Sequence, residues 1–325
     1  MRLLTIIAPL KRLLPIAALA LCTAVRAQGF PDKPIHILVP YSVGSITDVI
    51  ARIVGAALSE RVKQPVVIDS KTGAGGLIAL HALHAAAPDG YTVGLIPSGS
   101  VVQPWIKKDM PFDVRRDFQA VSLMFAGPLM LVVPPRLPVQ TLSQFVAYAK
   151  ANPDKLYYGS SGTGTATQLS AELLKQAGSL QMTHVPFRGS ADVYTAMLSG
   201  SVNVYFDLYG TAKPLIDAGR VKVLGVTSTK RMAVLPDVPA IAEALPGYEV
   251  LGWTGFAVPN GTPKNIVDKL AAELQAVMRT PAIQKRLSDM GVQPGGNTPQ
   301  EMTAFIASEY DKWGRITRSA GMKPE

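Results

Sequence analysis

Two segments carry the residue types that could hold a small anion. The first, Tyr41-Ser42-Val43-Gly44-Ser45-Ile46-Thr47-Asp48, follows the apolar run 35–39. The second, Ser160-Ser161-Gly162-Thr163-Gly164-Thr165-Ala166-Thr167-Gln168, follows Leu156-Tyr157-Tyr158-Gly159. Each places small and hydroxyl residues between the end of an expected strand and the start of an expected helix. There, unpaired backbone N–H groups and the positive end of the helix dipole favour negative charge. Glycine lets the backbone approach a ligand, and Ser or Thr adds neutral donors. The same residues also suit a purely structural role. Ser45 with Asp48, and Thr165 with Gln168, have capping-box spacing, and such caps stabilise a helix by about 1 kcal/mol each. Two such loops in one chain weigh toward a ligand. A third glycine loop, Thr72-Gly73-Ala74-Gly75-Gly76, and a fourth, Pro97-Ser98-Gly99-Ser100, could add donors. None is a nucleotide fingerprint: no Gly-Lys-Ser/Thr tripeptide occurs, and the first loop is not G-x-G-x-x-G.

Groups that could catalyse are sparse. Gly159-Ser160-Ser161-Gly162-Thr163 fails the G-x-S-x-G pattern at its last position. Asp207 follows the apolar Val204-Tyr205-Phe206 and could accept a hydrogen bond from a ligand or cap a turn. One carboxylate without a paired acid or base is a poor catalytic set. The histidines are His36, His81, His84 and His184. His81 and His84 share a helix face, but no acid in that helix completes a zinc site. His184 is expected to end a strand near the cleft. The expectation is no catalytic residue, no metal and no cofactor.

The chain has 325 residues. Arg2, Lys11 and Arg12, the apolar run 13–22 and Val25-Arg26-Ala27 read as a secretory leader spanning 1–27, cleaved before Gln28. The only cysteine, Cys22, lies in that leader, so the mature protein would have neither disulfides nor thiol chemistry. The leader holds four basic residues and no acid, so the formal charge of +9 becomes +5. These charges are scattered without interleaved aromatics, which argues against nucleic-acid binding.

The elements that must position the loops alternate. Strands are expected at 35–39, 65–68 and 91–96, with helices at 48–58 and 77–87, the rhythm of a doubly wound sheet. It breaks in the apolar stretch 123–135. New units follow: helices at 142–151, 167–177 and 191–198, and strands at 155–159, 182–186, 202–206 and 221–227. Helices at 264–278 and 299–319 close the chain. The first sheet lacks enough chain to cover both faces unless these last helices return to it. The expectation is an α/β protein of two lobes, 28–126 with 254–325 and 127–253. Two crossing segments, near 125–132 and 250–256, form a hinge over a cleft.

The ordered set Lys-Pro-Ile, Val-Pro-Tyr, Thr-Asp, Gln-Pro-Val-Val, Gly-Ala-Gly-Gly, Ala-Pro-Asp-Gly-Tyr-Thr, Tyr-Gly-Ser-Ser-Gly-Thr-Gly-Thr, His-Val-Pro-Phe-Arg-Gly-Ser and Leu-Pro-Asp-Val-Pro resembles the Bug/TctC family. These are extracytoplasmic solute receptors of tripartite tricarboxylate transporters, and the likeness runs from about 31 to 321. It implies a two-lobed periplasmic binding protein fold of type II-like build, each lobe a mostly parallel sheet flanked by helices. It also implies a small carboxylate ligand and membrane permease subunits as partners. By motif, the ligand contacts would be Tyr41, Ser45, Ile46, Thr47, Asp48, Ala74, Gly75, Ser98, Ser160, Ser161, Thr163, Thr165 and Asp207. A periplasmic monomer is expected. Ser42, Ser45 and Ile46 depart from the residues common in the family's first loop. Ile46 adds apolar surface, which points to an aromatic mono- or dicarboxylate rather than citrate. An α/β enzyme acting on small acids and a signalling receptor are the competing readings.

Overall fold

Four of the five residues in the Ile-His-Ile-Leu-Val run are buried, as a strand covered on both faces requires. The computed structural model describes residues 29–153 and 155–319; the expected leader and its cleavage site lie outside them. The strands are β1 (Ile35–Val39), β2 (Val66–Ser70), β3 (Thr92–Pro97), β4 (Phe118–Val133), β5 (Tyr157–Ser160), β6 (Thr183–Pro186), β7 (Tyr205–Leu208), β8 (Lys222–Val226), β9 (Leu251–Pro259) and β10 (Gln293–Pro294). The helices are α1 (Ile46–Val62), α2 (Leu77–His84), α3 (Gln103–Ile106), α4 (Leu142–Ala151), α5 (Ala166–Gly178), α6 (Ser190–Ser199), α7 (Tyr209–Asp217), α8 (Lys264–Met278), α9 (Pro281–Asp289) and α10 (Pro299–Ser319).

From Lys33 onward the chain packs as one unit built on a mixed sheet. β2 and β3 flank β1 and run parallel to it, with helices α1 and α2 as the crossovers. β9 is antiparallel to β3, and β4 is antiparallel to β9, giving the order β10-β4-β9-β3-β1-β2. The sixteen-residue β4 then continues past β9 and pairs with β7 and β8. A short parallel pair, β5 and β6, stands beside this half and is bridged to it between Tyr158 and Val204. Among the described residues no helix is long and apolar enough to cross a membrane.

The C-terminal helices return to the first half. α8 packs on α1 and β4, and α10 packs on β4 and α3. The Trp105 indole N–H donates to the Tyr310 carbonyl at 3.1 Å, and a side chain on Gly314 would collide with the same indole. One large apolar core joins Leu38, Leu80 and Ile96 with Phe145, Trp253 and Trp313. A second core under α6 and α7 holds Met130, Val193, Tyr205 and Val226. β9 is buried along nearly its whole length and β4 is buried from Leu129 to Val133, so the two strands form a packed floor under the loops.

Candidate functional site

Four helices start around one cavity. Its lining includes Ser45, Ile46 and Thr47 at the head of α1, and Thr165, Ala166 and Thr167 at the head of α5. Gly189 and Ser190 begin α6, and Leu208 and Thr211 begin α7. Each helix start presents backbone N–H groups without intrahelical partners and the positive end of its dipole. Strands β4 and β9 supply an apolar floor of Phe125, Leu129 and Trp253. Among the described residues no lysine, arginine, histidine or glutamate lines the cavity.

The local sequence explains the loop shapes. Ser45 is extended at φ −64°, ψ 155° and caps α1, its hydroxyl accepting from the Asp48 N–H at 3.3 Å. Asp48 reaches back to the Gly44 N–H at 3.0 Å. In the second loop Gln168 reaches back to the Gly164 N–H at 2.6 Å, the same return contact with an amide in place of a carboxylate. Thr165 does not cap α5. Its hydroxyl donates to the Gly162 carbonyl at 2.6 Å and sits 2.8 Å from Thr167 Oγ1, closing the loop on itself. The loops also meet one another: a Cβ on Gly99 would overlap the Gly164 carbonyl oxygen, and the Gln103 amide donates to the Gly75 carbonyl at 3.1 Å.

Asp207 is the carboxyl of this cavity. Its Oδ1 accepts from the Leu208 N–H at 2.9 Å and from the Ser190 hydroxyl at 3.3 Å. Its Oδ2 makes no hydrogen bond, and neither does the buried Thr211 hydroxyl. Burial pushes the Asp207 pKa up to about 7, against the Leu208 N–H and the neighbouring Tyr194 and Ser190 hydroxyls, which pull it down. Near neutral pH this side chain can therefore donate a proton to a ligand oxygen or accept one.

Of the residues singled out from sequence, Tyr41, Ser45, Ile46, Thr47, Ser98, Ser161, Thr165 and Asp207 line the cavity. Ala74, Gly75 and Thr163 line an adjoining outer recess, which shares Ser161 with the cavity and also carries Lys107 and Arg188. Asp48 and Ser160 line neither. Asp48 is turned to Arg52, at 2.9 and 3.1 Å, and to the Ser70 hydroxyl at 3.2 Å. Burial alone would raise its carboxyl, but the Arg52 and Gly44 hydrogen bonds hold it below the usual range. Ser160 lies behind its loop with Oγ 2.7 Å from His184 Nε2. Sequence reasoning missed Phe125, Leu129, Ser190, Thr211 and Trp253. The small-residue pair Gly189-Ser190 before a helical run was the one local signal available. Among the described residues no group of three or more His, Cys, Asp or Glu could hold a metal ion.

Residues 50–322 match the family described as the tripartite tricarboxylate transporter family receptor, TctC. The chain belongs to that family. It is 36% identical over 312 residues to a protein from the tcbD-tcbE intergenic region of Pseudomonas sp. strain P51, covering 94% of this chain and 93% of that one. Among solved structures, the R. palustris protein Rpa4515 with adipate is 33% identical with a TM-score of 0.88, covering 91% of this chain and all of that one. MatC from Rhodopseudomonas palustris with bound malate is 30% identical with a TM-score of 0.83, covering 88% of this chain and 99% of that one. This TctC-family chain is therefore an α/β solute-binding receptor of the periplasmic binding protein type and not an enzyme.

Proposed function

We propose that this chain captures a small carboxylate with an apolar body in the periplasm and delivers it, as a monomer, to the permease subunits of a tripartite transporter. The observation that carries the reading is the cavity itself: four helix starts and neutral hydroxyls aimed at a site whose described lining holds no cation. Such donors can satisfy one carboxylate without a salt bridge. The opposite wall, with Ile46, Phe125, Leu129 and Trp253, suits aromatic or aliphatic carbon and offers nothing to a hydroxyl-rich ligand. Citrate would bring three negative charges beside Asp207, where only a protonated Asp207 tolerates even one. A second carboxylate, if the ligand has one, is directed outward past Ser161 toward Lys107 and Arg188. Strands β4 and β9 act as the hinge between the lobes 28–126 with 254–325 and 127–253, whose loops close over the ligand.

The test is a thermal-shift screen of mature protein with adipate, malate, citrate and benzoate, followed by calorimetry. Benzoate or adipate should raise the melting temperature more than citrate, because binding to the folded state alone stabilises it. Tight citrate binding with no response to benzoate-type acids would sink the apolar-body reading.

A further inference from the structure

Behind the second loop, three polar side chains and two glycines form a hydrogen-bond chain whose direction can be read from one end. The Gly164 N–H donates to Gln168 Oε1 at 2.6 Å. A backbone N–H can only donate, so the amide oxygen is placed there and the amide NH2 faces the other way. That NH2 lies 3.3 Å from His184 Nδ1, which must accept. The ring proton is therefore on Nε2, which donates to Ser160 Oγ at 2.7 Å. The Ser160 hydroxyl proton is left for the Gly162 carbonyl at 3.1 Å. In this direction Ser160 faces a protonated nitrogen, so the Ser160–His184 pair cannot act as nucleophile and base.

The chain starts and ends on Gly164 and Gly162, whose φ values of 78° and 126° are the two left-handed positions of the loop. Ser161 and Thr165, which line the cavity, are held by the backbone that these glycines shape. We propose that His184 is a positioning residue of the ligand site: neutral and protonated at Nε2, it clamps residues 160–165 in the binding shape, and protonation at Nδ1 releases them. An N–H at Nδ1 would meet the Gln168 NH2, donor against donor, while the Gly164 contact prevents the amide from turning.

The groups facing the ring are Tyr158 of β5 and Glu172 and Lys175 of α5. Tyr158 stacks on it with centroids 4.9 Å apart and hydrogen-bonds Glu172, which pairs with Lys175 at 3.0 Å. Burial disfavours the imidazolium most, Glu172 favours it and Lys175 opposes it; the net holds the ring below its usual pKa. The clamp is intact at neutral pH and fails on the acid side. Carboxylate affinity should then fall below the His184 pKa, with about one decade per pH unit as the steepest slope that a single proton gives.

The inference rests on the cavity being the binding site only for its effect on affinity. Nitrogen-15 NMR of the ligand-free protein tests the clamp itself, with His184→Gln assigning the ring signals. The expected result is an unprotonated Nδ1 at pH 7.5, and Gly162 and Gly164 amide signals that shift together with the ring's titration. In Gln168→Glu the carboxylate accepts from Gly164 and from a protonated Nδ1. It should raise the His184 pKa by at least one unit and carry the glycine shifts with it. A proton on Nδ1 at pH 7.5, glycine signals indifferent to the ring, or an unmoved pKa in Gln168→Glu overturns the proposal. With adipate as probe, His184→Gln keeps a donor for Ser160 and should lose the acid-side fall in affinity; the same fall in that variant also overturns it.

Discussion

Replacing Asp207 with asparagine should stabilise the ligand-free protein at alkaline pH, against the usual outcome for a buried polar residue. The carboxyl is 4% exposed, and its pKa rises from 3.8 to about 7 in the folded state. The folded state holds the proton more tightly than the unfolded chain, so this group's contribution to stability is fully present below about pH 4 and is lost as pH rises toward 7. Three units correspond to about 4 kcal/mol at full ionisation, an upper bound because a partly hydrated carboxylate costs less. The asparagine amide keeps an oxygen for the Leu208 N–H and the Ser190 hydroxyl and carries no charge. Thermal unfolding from pH 5 to 8 is the assay. His184 contributes the opposite slope below its usual pKa, since its folded-state pKa is lowered. It does so in both proteins, so the difference between wild type and Asp207→Asn is the readout. That difference should grow with pH to a shift of several degrees at pH 8. Parallel pH profiles, or a variant less stable than wild type at pH 8, would refute the assignment of a raised carboxyl.

Gly99→Ala should lower the melting temperature of the ligand-free protein and weaken carboxylate binding at least tenfold, read by thermal unfolding and calorimetry, because its Cβ overlaps the Gly164 carbonyl and parts two packed loops around the cavity. Ile46→Ser should cost about 3 kcal/mol in urea unfolding, since Ile46 is 6% exposed, and should shift preference from benzoate toward malate in a competition assay.

Much of the fold was legible where the chain obeys one period. The run 35–39, the helix 264–278 and the helix 299–319 sit at the expected residues because their apolar spacing matches a single element. β4 read only as a break in the rhythm. It is buried on both faces and carries register shifts near Ser122 and Phe125, so neither alternation nor a helical period survives. α7 escaped notice because Gly210 and Pro214 lie inside it, and its fixed place comes from packing on β7.

The two glycine-hydroxyl loops were legible because the junction of strand and helix is local chemistry, written in consecutive residues. Which of their side chains face the cavity was not. Asp48 and Ser160 turn away because Arg52 and His184 satisfy them, and those partners stand 4 and 24 residues along the chain. The apolar floor was invisible for the same reason: Phe125 and Trp253 meet only through the antiparallel pairing of β4 and β9. Sequence by itself determined that helices begin in loops of glycine and hydroxyl residues. The tertiary structure decided that four of them begin at one place, and that the carboxyl among them is buried deeply enough to hold its proton near neutral pH.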